Sequence, residues 1–347
     1  MSELKTNKIS TNDQNNVAID NALGLKSYTT AGRDALTSVA GDMIYNTSDS
    51  KVQVYNGSSW DDLGGVSVFA LEYLVVGGGG TPDGRSGKNG GGGAGGVLTN
   101  VSGDNSGGGN SASPTFYVVP NTNYNVEVAP TKGESYFESI TSAPGGSGGT
   151  GATSANKAAS TEGGSSSPAP TNAFANQGFR GGDGNTGGIG VGGGGGGAGT
   201  VGGDNSGATG GNGGTGAIST IISASDATTY SVGEVSGSDV YFGGGGGGAG
   251  SLASGGGTST GGLGGGGNGY SGSTNGESGA ANTGGGGGST DTGTVGTGGS
   301  GVVILKFPDT YTITVGAGLT DATSGGITSG GFTTVILTAG VDTVSWS

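Results

Sequence analysis

Hydrophobic positions along this chain change their rhythm several times, and each change marks a different kind of structure. In "GDMIYNTSDSKVQVYNGSSWDDLGG" two short β-prone runs, Met43 to Tyr45 and Val52 to Tyr55, flank the turn-rich "NTSDSK", which reads as a hairpin. Trp60 follows a second turn, and upstream "TTAGRDALTSVAG" allows a helical turn or two with Thr30 as a cap. Two apolar strands then bracket a long middle region: "SVFALEYLVVGGGG" opens it and "GGSGVVILKFP" closes it. Their placement predicts that the first and last strands pair to close one unit. In "NYNVEVA" the residues Tyr124, Val126 and Val128 recur at period two, as do Tyr311, Ile313 and Val315 in "TYTITVG", so each set belongs on one sheet face. Beyond Phe307, period-two runs at Tyr311–Val315, Thr333–Leu337 and Val341–Trp346 read as a separate small β module.

The middle region changes the picture through what it lacks. Glycine supplies 91 of 347 residues and hydrophobic residues only 30%, so one large side-chain core is not expected. Runs such as "VGGGGGGAG" at 191–199 and "FGGGGGGAG" at 242–250 alternate with spacers rich in Ser, Thr and Asn. Disorder is the default for such composition. Against it, the runs are nearly free of charge, they share an Ala-Gly ending, and they lie between strands that would otherwise expose apolar faces. Collagen fails, because there is no Gly-X-Y period and there are 8 prolines in all. The remaining reading is polyglycine II, a left-handed helix with three residues per turn and no internal hydrogen bonds. Its N–H and C=O groups must be satisfied by neighbouring helices, and glycine alone lets backbones approach from every side. An Ala or Val inside a run would then block a neighbour.

The alternation of polyglycine runs with variable polar loops resembles the glycine-rich tip adhesins of tailed bacteriophages, over roughly 67–308. In that family the runs form a sandwich of polyglycine II helices and the far loops contact the host receptor. "LVVGGGG" and "GGSGVVILKF" resemble the boundaries of glycine-rich domains in phage fibre proteins. "LKSYTTAGRDALTSVAGDMIYNTSDSKVQVYNGSSWDDL" at 25–63 is similar to a module of phage tail-fibre and virion proteins, and "SELKTNKISTND" looks like the virion-facing start of such fibres. The resemblance implies a homotrimer for fibres, whereas tip adhesins are often monomers seated on a separate fibre; this chain carries both kinds of segment.

Charge and side-chain inventory remove most alternatives. A net charge of −14 with only 11 Lys and Arg argues against nucleic acid. There is no cysteine and no histidine, which removes disulfides, thiolate sites and serine–histidine triads. The N-terminus lacks an apolar signal region and residues 68–76 are too few to span a bilayer, so the chain reads as soluble and assembled in the host cytoplasm. "GGGGTPDGRSGKNG" at 77–90 has Pro82 and Asn89 where a phosphate loop needs Gly and Ser or Thr. Glu134 and Glu138 invite a glycosidase reading but sit in a strand-or-turn context. "GDNSG" at 103–107 and 203–207 suits either Ca²⁺ or, preferably, an Asx turn.

The expected fold is therefore mainly β and irregular: an N-terminal small β module over 1–66, a polyglycine II bundle bracketed by strands over 67–308, and a small C-terminal β module over 309–347. The expected role is a non-enzymatic tail-fibre or tip adhesin of a virion, with no cofactor or metal. Its partners would be a host cell-surface glycan or outer-membrane protein, and other fibre proteins through the N-terminal module. Candidate receptor contacts are the bulky residues in small-residue spacers: Arg85, Lys88, Phe174, Phe179, Arg180 and Tyr270. Tyr241 and Phe242 are assigned to the bundle's flank. A structural decoration of capsid, neck or tail is the main alternative, and a silk-like matrix protein a third.

Overall fold

The computed structural model describes residues 24–63, 68–83, 89–145, 177–185 and 190–347. Strand accounts for 32% and helix for 6%, so the chain is mainly β. It divides into two compact units, Met1–Ser67 and Val68–Ser347.

In the first unit a four-stranded sheet runs in sequence order through Ser27–Tyr28, Met43–Asn46, Lys51–Tyr55 and Trp60–Asp62. The expected hairpin pairs Met43 with Val54 and Asn46 with Lys51. The helical turn spans Thr30–Asp34, and its cap is Thr29 rather than Thr30: the Thr29 hydroxyl accepts from Gly32 N–H at 3.2 Å. The helix covers a polar sheet face. Asn46 and Gln53 are buried there, and the Arg33 Nη1 donates to Gln53 Oε1 at 2.9 Å.

The second unit is organised around the bracketing strands, which pair antiparallel as the sequence predicts, with Val76 opposite Val302 and Glu72 opposite Lys306. Both belong to an 11-stranded, nearly closed sheet. Alternation then sorts their side chains. Phe69, Leu71, Tyr73 and Val75 meet Val303, Leu305 and Phe307 in one core, whereas Leu74, Val76, Val302 and Ile304 enter a second core on the opposite face. Tyr124, Val126 and Val128 share the first core as expected, and Ile313, Val315 and Tyr311 pack against its rim. Aromatic rings crowd around Trp346, with Phe307, Tyr124 and Phe69 centroids at 5.7, 5.7 and 5.8 Å.

Residues 309–347 are not a separate module. Thr333–Leu337 and Val341–Trp346 are parts of one 15-residue strand, Phe332–Trp346, that pairs with Val302–Pro308 on one stretch and Tyr124–Val128 on another. The Gly340 between them keeps the strand going at φ +103°, where an added Cβ would lie 2.0 Å from Gly318 O. The segment contributes Val335, Leu337, Val344 and Trp346 to the first core and Ile336 to the second, so its burial depends on the strands of the middle region.

The second core is completed by an insertion between glycine runs. Strands Ala217–Ile218, Asp239–Phe242 and Glu234–Ser236 form a small sheet, joined by the helix Ala224–Tyr230. Ser223 caps that helix by accepting from Asp226 N–H at 3.1 Å and donating to the Asp226 carboxylate at 2.7 Å. Phe242 is fully buried there, inside the core and not on a flank.

The glycine runs continue directly from these strands. The segment 243–250 follows Asp239–Phe242, and its hydrogen bonds repeat every third residue. Gly244, Gly247 and Gly250 donate to Gly264, Gly267 and Tyr270; Gly245 and Gly248 donate to Gly214 and Gly211; Gly246 and Ala249 donate to Gly92 and Asn89. Acceptance follows the same rule: Gly192, Gly195 and Ala198 donate to Ala249, Gly246 and Gly243, while Gly286 and Ser289 donate to Gly244 and Gly247. The last direction is filled by Gly262 N–H to Gly245 O and by the Ser259 hydroxyl to Gly248 O. Every N–H and C=O from Gly244 to Ala249 thus has a partner, and none is within the run. Gly244 to Gly248 keep negative φ. Extended backbone with period three and six neighbouring segments is what polyglycine II requires, and it extends outward in the same way: Phe179, Gly182 and Asn185 donate to Gly197, Gly194 and Val191.

Backbone packing of this density leaves no room for side chains. A Cβ built on Gly246 would lie 2.0 Å from Gly287 O, and one on Gly195 would lie 2.0 Å from Gly92 O. The expectation that alanine blocks a run holds at these positions and fails at three others. Ala94, Ala198 and Ala249 are fully buried, and the Ala198 methyl joins the second apolar core.

Candidate functional site

Runs leave the sheet at residues 77, 143 and 243 and return at 96, 216 and 301, so their opposite ends gather away from the strands. Connections at that far end include 204–209, 251–259, 271–276 and 290–294. Hydrogen bonds tie them laterally: Ser251 N–H donates to Ala208 O at 2.8 Å, Gly257 N–H to Thr209 Oγ1 at 3.2 Å, and Thr292 N–H to Gly272 O at 2.9 Å. The Ser271 hydroxyl reaches Gly256 O at 2.8 Å. The far end is therefore a row of short polar turns anchored on a rigid lattice. Leu252 projects from it with 63% of its surface exposed, beside Gly272, where an added Cβ would lie 2.8 Å from its Cδ2. Sequence reasoning sought aromatic and cationic side chains in the small-residue spacers and so passed over this leucine.

Of the sequence candidates, Arg85, Lys88 and Phe174 lie outside the described residues. Phe179, Arg180 and Tyr270 lie on bundle runs and not in free loops. Phe179 N–H donates to Gly197 O at 2.9 Å, Arg180 O accepts from Gly202 N–H at 2.9 Å, and Tyr270 N–H donates to Ser289 O at 2.9 Å. Arg180 is exposed, and Phe179 is half-buried. Tyr270, also half-buried, donates its hydroxyl to Glu277 Oε1 at 2.5 Å. That carboxylate, followed by desolvation, pushes the phenol above its usual value. The structure does not bring these three together as one patch by any hydrogen bond or ring contact.

Neither "GDNSG" segment is an Asx turn: Asn105–Ser106 of the first is a short strand, Ser206 of the second bridges Thr209, and both Asp side chains hold distant segments. Asp104 is buried, and its carboxylate accepts from the Ser219 hydroxyl at 2.9 Å, Thr220 N–H at 2.8 Å and the Thr220 hydroxyl at 2.9 Å. Asp204 accepts from Asp183 N–H at 2.7 Å, and Asn205 Nδ2 donates to Gly207 O at 3.1 Å. Among the described residues no cluster of three or more acidic ligands is placed to hold a metal ion. Glu138 accepts from the Asn125 side chain at 3.2 Å and Glu134 is exposed. Gly78 to Gly80 of the phosphate-loop look-alike donate to Gly133, Gly299 and Gly93 of other segments, so these amides are committed to the bundle. No helix of the described residues is long and apolar enough to cross a membrane.

No protein-family model matches the chain, and comparison with curated proteins and with solved structures gave no match.

Proposed function

We propose that this protein is a tail-fibre or fibre-tip adhesin of a bacteriophage virion, non-enzymatic, that recognises a bacterial surface glycan or outer-membrane protein. The observation that carries this reading is the lattice around Gly244–Ala249, where every backbone group is bonded to a different segment. A core made of main chain fixes the ends of its runs while leaving the turns between them free to vary in sequence. That is the property a receptor-recognising surface needs, because binding residues concentrate on loops held by a rigid scaffold. The far-end turns, Leu252 among them, are the receptor-facing surface on this reading.

The first unit suits attachment to another virion protein or to further copies of itself. Among its described residues it buries one apolar side chain, Ile44, and one sheet face carries Met43 opposite Val54 and Tyr45 opposite Val52, with Met43 39% and Tyr45 36% exposed. A unit of this size with no cysteine to form a disulfide gains stability chiefly by covering such a face.

Two measurements test the proposal. Fluorescently labelled full chain should bind a subset of bacterial strains, and exchange of residues 251–258 for an unrelated polar loop should abolish that binding without changing thermal stability. Antibody against the chain should label the end of an appendage on the particles that carry it. Labelling confined to capsid or neck, with no strain bound, would replace the adhesin by a structural decoration.

A further inference from the structure

A groove of about 570 Å³ lies on the side of the second unit, at the sheet-proximal end of the bundle and away from the far-end turns. Its volume falls within the range of small-ligand sites. One side is an apolar platform. Ile218 and Tyr241 are cross-strand partners on the outer face of the small sheet, opposite to the face that buries Val240 and Phe242, and Leu263 extends the platform. Ile218 is 42% exposed. The other side is polar and comes from the hairpin of Asn105–Ser106 with Asn110–Ser111 and from Thr215 at the end of a glycine run.

The two sides are held together by a buried clamp. Asp104 sits at the base of the hairpin and receives the three hydrogen bonds from Ser219 and Thr220, which directly follow Ile218. These bonds are satisfied without any ligand, so the groove's shape is fixed in advance. They also occupy the only carboxylate in the lining among the described residues, which include no Lys or Arg at the groove. The lining therefore has nothing to neutralise an anion, and the chain's net charge of −14 disfavours one. An extended peptide is a poor occupant as well: the edge strand beside the groove, Ala217–Ile218, has two residues, too few for strand addition.

From this chemistry we infer that the groove binds a neutral oligosaccharide, with a pyranose C–H face against Tyr241 and Ile218 and sugar hydroxyls toward Asn105 and Thr215. Such a ligand is apolar on its ring faces and hydrogen-bonding around its rim, which matches a tyrosine-bearing platform opposed by hydroxyl and amide groups. The inference rests on the adhesin reading for its biological role, since a lateral glycan site beside far-end protein or glycan contacts would give the particle two points of attachment. Its chemistry stands on the groove alone.

The test is a titration of the ¹⁵N-labelled full chain with maltohexaose, cellohexaose and mannohexaose as neutral probes and hexagalacturonate as an acidic one, each to about 10 mM. Amide shifts at Asn105, Ser106, Thr215 and Tyr241 with at least one neutral probe, and none with the acidic probe, are expected. Tyr241→Ala and Ile218→Asp should each weaken that binding at least about tenfold, equivalent to roughly 1.4 kcal/mol, while Tyr241→Phe retains it. Ile218→Asp replaces an exposed side chain, so its spectrum outside the groove should be unchanged. Absence of shifts with all three neutral probes, equal response to hexagalacturonate, or undiminished binding in both variants would overturn the inference. Strain binding by the labelled chain is scored separately: its loss in the 251–258 exchange alone speaks to the far-end surface, and its presence without oligosaccharide shifts removes the groove only.

Discussion

Gly246→Ala puts the backbone-core account at risk with a single methyl group. The new Cβ would stand 2.0 Å from Gly287 O, where a relaxed carbon contact needs about 3.5 Å. The obstructing atom is main chain and cannot rotate away, so one of the two runs must retreat by roughly 1.5 Å. At that displacement Gly246 loses its 2.8 Å bond to Gly92 O, Gly287 its 2.9 Å bond to Gly80 O, and Gly286 its 2.8 Å bond to Gly244 O. Each donor stranded away from water costs about 1–3 kcal/mol, and overpacking strain adds about 1–3 kcal/mol. The expected loss is about 4–6 kcal/mol after partial relaxation, large among single substitutions. Gly257→Ala is the control, because its Cβ would meet only Thr209 Oγ1 at 3.7 Å with φ outside the left-handed region; it should stay within about 0.5 kcal/mol of the parent. The assay is urea unfolding read by Trp346 fluorescence in a Trp60→Phe background, since Trp346 reports on the sheet from which the runs emerge. If Gly246→Ala shifted the midpoint no further than Gly257→Ala, close backbone packing would not be holding the unit together.

Three other substitutions probe different parts of the same reasoning. Ala198→Gly removes a fully buried methyl from the second core and adds backbone freedom, for an expected loss of about 1–2 kcal/mol in urea unfolding; glycine is then worse at a run position that faces the apolar core. Glu234→Ala deprives Gly264 and Gly265 N–H of the carboxylate they reach at 2.7 and 2.8 Å, and should cost about 1–3 kcal/mol with faster amide exchange at those two glycines. Asp342 accepts from Gly318 N–H at 2.9 Å and Thr343 N–H at 2.8 Å, first of which holds its carboxyl below the ordinary 3.8. A depressed folded value contributes stability above 3.8 that is lost as pH falls through that lower value, so Asp342→Asn should lower the urea midpoint at neutral pH, flatten the acid limb below about pH 4, and converge with the parent at the acid end.

What the sequence disclosed and what it hid follow from the range of the interactions involved. The bracketing strands, the Met43–Val54 hairpin and the face shared by Tyr124, Val126 and Val128 were legible because period-two alternation is a local signal. The run geometry was legible too, because glycine without charge or proline excludes most other structures. The long Phe332–Trp346 strand was not, since Gly340 has the composition of a turn and only the close approach of Gly318 O explains its presence. The 217–242 insertion was passed over although Ser223 and Asp226 stand at capping-box spacing. At the site level, bulky residues in small-residue spacers suggested loops, yet Phe179, Arg180 and Tyr270 are spaced by the lattice and lie on runs. The groove was invisible in sequence because Asn105 is joined to the Ile218–Tyr241 strand pair through the buried Asp104 clamp, 115 residues from Ser219.

Amide hydrogen exchange on the intact chain examines the central claim most directly. Gly192, Gly194, Gly195, Ala198 and Gly244 to Ala249 donate their N–H groups to main-chain carbonyls of other segments, so any protection they show comes from main chain bonded to main chain. The account predicts protection of these amides comparable to that of Val303 to Phe307 in the central strand. Exchange at the rate of an unstructured peptide across 244–249, with 303–307 still protected, would contradict it.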